Sequence, residues 1–186
     1  MIAFDIIMTL IEDFIIAYFD FKILDIVNKK IIVFLTLICT LTTFIFNNLL
    51  VNYYWLMIIL IMIFTFASSF CDKKRNLMYF IVPAILLIIL LFSNTLAIIL
   101  VSTVFLINPI QISSNNIYVI LLSLFSRIIF LVLSYLFSYY DNKYRLNKNR
   151  LLVDKYWWSC CLFIFAFLGV YTLLFEMIFY HMISTI

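Results

Sequence analysis

Four ionisable side chains stand where charge is expensive. Asp5, Glu12 and Asp13 interrupt one long apolar run, and Arg127 interrupts another. An unpaired arginine in the middle of a bilayer costs about 2.5–3.5 kcal/mol on insertion scales, so such residues are expected to pair or to serve a site. Asp5 and Glu12 are seven residues apart and share one helix face, whereas Asp13 is turned by about 100° from Glu12. Counted from the ends of their runs, Glu12 and Arg127 lie at the same depth, about 15 Å at 1.5 Å per residue. The spacing therefore predicts a Glu12–Arg127 pair, with Asp13 or Asp5 as second choices, and neighbouring first and fifth spans. Asn94, within Ser93-Asn94-Thr95 of a third apolar run, joins this set of polar-core or ligand-facing residues.

Other chemistry is excluded by the residues at hand. With one glycine, Gly169, neither a phosphate-binding glycine loop nor GxSxG can be written. The single histidine, His181, has no HExxH context, and Cys39, Cys71, Cys160 and Cys161 form no CxxC pair. Cys71 and His181 fall at opposite membrane faces, which removes a Cys–His peptidase. No catalytic residue, metal ligand or cofactor is assigned, and the chain is not expected to be an enzyme. Glu176 lies near the outer end of its span, shallow enough to reach the interface.

The elements that must position these residues are helices. Hydrophobic residues make up 68% of the 186 positions and charged ones 11%, too few to cover a soluble surface. The apolar stretches are continuous and do not alternate, so they read as helices rather than barrel strands. The expected fold is all-α, a single polytopic transmembrane bundle over 1–186. About six spans are marked, at 2–24, 30–46, 50–70, 77–107, 117–140 and 156–180. The stretch 77–107 would be about 46 Å long as one helix; it is taken as a single span, because two crossings would separate the basic clusters.

Those clusters set the orientation. Lys22, Lys29 and Lys30, then Lys73, Lys74 and Arg75, then Lys143, Arg145, Lys148, Arg150 and Lys155 fall between spans. That is a positive-inside pattern, not a nucleic-acid footprint. It places loops 22–30, 72–76 and 141–155 in the cytoplasm and both termini outside, in the cell membrane. Asp5, Glu12 and Asp13 replace the basic start of a signal peptide, so the first segment is expected to be a retained span. Tyr53, Tyr54, Trp55, Tyr139, Tyr140, Tyr156, Trp157 and Trp158 suit interface anchors.

Several short motifs resemble one family. Leu10-Ile11-Glu12, an aromatic-rich run and then Lys29-Lys30 are similar to the first span of bacterial accessory-gene-regulator-type peptide-pheromone sensor kinases, whose kinase part is of the GHKL class. The basic turn before the long fourth span, Ser126-Arg127-Ile128-Ile129-Phe130-Leu131 in the fifth, and a basic linker leading to Tyr156-Trp157-Trp158 agree with that pattern. The family continues into a further span, a phosphoacceptor helix and an ATP-binding domain, none of which follows here. The resemblance implies the sensor part of a two-component, quorum-sensing receptor: a homodimer in the lipid bilayer that detects a small extracellular peptide. A membrane subunit of a small-molecule transport system, or a structural membrane protein, is the alternative. The single glycine and two prolines, Pro83 and Pro109, weigh against transport, which commonly uses broken helices.

Overall fold

With glycine and proline nearly absent, nothing in the apolar runs interrupts a helix, and a helix satisfies its own backbone without water. The computed structural model describes residues 2–26, 28–48, 53–71, 78–105 and 116–144, and there the chain is helical throughout apart from short turns. The helices are α1 (Ile2–Ile23), α2 (Lys29–Asn48), α3 (Tyr53–Cys71), α4 (Met78–Phe105) and α5 (Asn116–Tyr144). The expected span at 156–180 lies outside the described residues, as do loops 72–76 and 145–155, Glu176 and His181.

Helix ends follow local chemistry. At the end of α1, Asp25 adopts a left-handed φ of 56°. The Ile26 N–H reaches back to the Phe21 carbonyl at 2.9 Å, and the Leu24 N–H to that of Asp20 at 3.0 Å. Glycine usually takes such a position, and aspartate is among the few other residues that tolerate it. Asn28 caps α2, its side-chain oxygen accepting from the Ile31 N–H at 3.4 Å. The stretch expected as one long span is indeed a single helix of 28 residues, and Pro83 sits near its start. The helix is described as far as Phe105.

The five helices close a ring in chain order, α1 meeting α5, while α1 and α4 also touch across the middle. Phe64, Leu86, Leu87 and Phe130 are among the side chains fully buried at its centre. α4 packs most extensively on α5. Small buried residues, Ser93 and Ala97 on α4 and Ser126, Ser134 and Ser138 on α5, suit that close approach in place of the missing glycines. The rings of Phe105 and Tyr118 meet at a tilt, centroids 5.7 Å apart, where the two helices come together near one end.

The outer surface is as apolar as the core. Val33, Phe34, Leu37 and Leu41 of α2 and Ile117, Leu124, Ile128 and Leu131 of α5 are exposed, whereas Asp13, Asp20, Ser68 and Ser134 are buried. Such an inside-out distribution is consistent with lipid as the solvent and not with water. Among the described residues three segments are long and apolar enough to cross a membrane: Lys29–Phe46, Met78–Phe105 and Asn116–Asp141. Of the other three expected spans, 156–180 lies outside the described residues, and the remaining two helices differ for reasons visible in their sequences. α1 carries Asp5, Glu12, Asp13, Asp20 and Lys22, and the apolar part of α3, Trp55–Cys71, is one helical turn shorter than most spans. Threonine hydroxyls inside these helices are absorbed locally: Thr36, Thr42 and Thr65 donate to the carbonyls four residues earlier at 2.7–2.8 Å.

Candidate functional site

Halfway along α1 and α5 the two long runs bring their charges together. Arg127 donates from Nη2 to the Glu12 carboxylate, and the pair is mostly buried, with 19% and 13% of the side chains exposed. α1 and α5 are in direct contact, and Lys22 of α1 lies 5.6 Å from the ring of Tyr135 on α5. From Glu12 to Lys22 and from Arg127 to Tyr135 both chains advance by similar amounts, so the helices run parallel in register. The expected pairing and the expected neighbours are both present.

Two further helices add polar groups to this level. Asp13, facing away from Glu12 as its 100° rotation requires, meets α2, where the Thr40 hydroxyl lies 3.0 Å from Asp13 Oδ2. Asn94 of α4 accepts from the Ser126 hydroxyl, next in sequence to Arg127. Glu12, Asp13, Thr40, Asn94, Ser126 and Arg127 thus make a polar belt across α1, α2, α4 and α5. The second-choice role of Asp13 toward Arg127 is corrected: its bond is to Thr40, although Arg127 lies near enough to act on it electrostatically.

Asp5 does not belong to the belt. It is exposed near the first turn of α1, and its backbone carbonyl accepts from Thr9 Oγ1 at 2.9 Å. Sharing a face with Glu12 was insufficient, because seven residues also carry Asp5 about 10 Å along the axis. Conversely, the sequence reading missed Asp20. It is fully buried, and Ser68 of α3 donates to its Oδ2 at 3.1 Å. The signal was its position seven residues after Asp13.

The belt and Asp20 leave polar atoms without partners among the described residues: Arg127 Nε, Asp20 Oδ1, Thr43 Oγ1 and the hydroxyls of Ser134 and Ser138. An unsatisfied buried polar group costs about 1–3 kcal/mol. This interior is therefore set up to gain from a second packing or from a polar guest. Cys39 is buried and is a free thiol. Among the described residues no three His, Cys, Asp or Glu side chains come together as a metal site. No known family model, curated protein or solved structure shows significant similarity to this chain.

Proposed function

We propose that the chain is a multi-pass membrane protein serving as the sensor module of a bacterial two-component, quorum-sensing receptor for a small extracellular peptide. The observation that carries this reading is the polar belt, in which the half-satisfied Arg127 guanidinium sits among four helices of an otherwise apolar bundle. A ligand that supplies an acceptor to Arg127 Nε in one helix packing and not in another shifts the population between them. The motifs around Glu12 and Arg127 are the same ones that resemble the pheromone-sensor family. On this reading the chain has no catalytic activity of its own and acts as a homodimer.

The test is a synthetic copy of any short secreted peptide encoded beside this gene, added to the purified chain in nanodiscs. The expected result is a raised Tm for the native chain and a much smaller rise for Arg127→Gln. No rise in either, or a pair of ATPase subunits as gene neighbours in place of a response regulator, overturns the sensor reading in favour of a transport subunit. The transport alternative draws on a different observation, the four acidic side chains spread along α1 from Asp5 to Asp20.

The proposed orientation has an extracellular N-terminus and cytoplasmic basic loops, following the Lys/Arg bias. A cysteine introduced at Asn147 is expected to resist membrane-impermeant reagents in intact cells and to react after permeabilisation. Labelling from outside reverses the orientation.

A further inference from the structure

We propose that Asp13 is a proton-binding site inside the bundle, and that Arg127 reads whether it is loaded. The inference concerns the ion this interior holds and stands whether or not a peptide is sensed.

The first support is a count of hydrogens. The Thr40 hydroxyl lies 3.0 Å from Asp13 Oδ2 and 2.9 Å from the Thr36 carbonyl four residues earlier. A hydroxyl has one hydrogen to give. The Thr36 carbonyl can only accept, so when Thr40 donates to it, the short contact with Asp13 needs a hydrogen from Asp13. A carboxylic acid donating to Thr40 Oγ1 satisfies both contacts at once. A carboxylate must take the hydrogen away from the Thr36 carbonyl or face a hydroxyl oxygen bare.

The second support is charge. Glu12 and Arg127 neutralise one another as a contact pair. Asp13, 3% exposed, then has no counter-ion of its own. An ionised carboxylate kept from water needs a partner charge or several donors. Among the described residues, the groups that act on it are Glu12 on α1, Thr40 and Cys39 on α2 and Arg127 on α5. At this level α4 contributes Asn94, which is engaged with Ser126, while Ser68 of α3 is engaged with Asp20, about 10 Å further along α1. Arg127 is the sole cation among them, and it is already bonded to Glu12.

The third support is the place left for the response. Arg127 Nε is buried and has no partner among the described residues, although its Nη2 is bonded to Glu12. A guanidinium presents its donors as a fork that can serve two carboxylates. With the proton on, Asp13 stays with Thr40 and Arg127 serves Glu12 alone. With the proton off, Asp13 is drawn to the vacant Nε, and the α1–α2 contact through Thr40 is exchanged for a tighter α1–α5 contact. The proton passes to water on release and returns on loading, with no other reactant.

The experiment uses the full chain in nanodiscs with 13C-labelled aspartate, followed by infrared spectroscopy and by 15N NMR of arginine Nε as the pH is raised. At neutral pH a protonated-carboxyl band is expected that Asp13→Asn removes and Thr40→Val displaces, and that Asp20→Asn leaves in place. The Arg127 Nε signal is expected to move as that band disappears, and to stay still over the same range in Asp13→Asn. Absence of a protonated aspartate band at neutral pH overturns the site, as does a band that responds only to Asp20→Asn. A band abolished by sodium at constant pH also overturns it, because the occupant is then a metal cation. A stationary Arg127 signal in the native chain overturns the coupling. Should Asp13→Asn fail to fold, the displacement of the band by Thr40→Val decides the matter by itself.

Discussion

Arg127→Glu is expected to destabilise the bundle by about 3–5 kcal/mol, and Glu12→Arg in the same chain to restore a substantial part of the loss. The magnitude is that of breaking a buried ion pair, in which the surviving charge is stranded without solvent. Here the stranding is doubled, since Arg127→Glu sets two acidic groups against each other beside Asp13, with no cation left at that level among the described residues. The reversed pair puts opposite charges back at the same height on two helices that run parallel. Rescue is incomplete because Asp13, Thr40 and Ser126 were arranged around the original polarity. Steric-trap or SDS unfolding in mixed micelles reads both values. The absence of any rescue would mean that the two side chains do not meet in the membrane. A double apolar replacement, Glu12→Leu with Arg127→Met, should come much closer to the native stability than either single change. That outcome would separate the cost of breaking the pair from what the pair contributes, which the single variants cannot do.

The second large effect is expected from Phe130→Ala, at about 3 kcal/mol. Phe130 is one turn beyond Arg127, fully buried and part of the central cluster. Phenylalanine-to-alanine changes in packed cores cost about 3–5 kcal/mol through lost contacts and a residual cavity. The lower end applies in lipid, because the deleted ring does not gain water in the unfolded state and mainly packing is forfeited. Phe125→Ala, on the same helix but 43% exposed, is the matched control. Acyl chains can fill the space it leaves, and the expected loss is well under 1 kcal/mol. Equal losses at the two positions in the same unfolding assay would show that α5 does not present its Phe130 face to the bundle.

Much of the architecture was legible because it depends on solvent rather than on partners. Long apolar runs with almost no glycine or proline must be helical if lipid surrounds them, and the described elements begin and end within four residues of the expected spans. The continuity of α4 followed from the one-sided placement of the basic clusters. The meeting of Glu12 and Arg127 followed from depth alone, since two opposite charges at one height in an apolar medium have few other ways to be neutralised.

Rotation about each helix axis was a different matter, and tertiary structure alone decided it. In a soluble bundle the polar stripe tells the outside from the inside, but these helices are apolar on nearly every side. Leu131 faces outward and Phe130 inward although both are equally at home in a core. Membership of the polar belt was settled in the same way. Asp5 shares the face of Glu12 and is left exposed, whereas Asp20 is buried against Ser68, a contact across 48 residues that only the placement of α3 beside α1 creates. The partner of Asp13 was decided likewise, by α2 bringing Thr40 to it before Arg127 could. The reason is common to all three. Lipid and protein interior are nearly equivalent solvents for an apolar face, so the choice of face rests on which neighbouring helix offers a donor, an acceptor or a close fit, and these come from elsewhere in the chain.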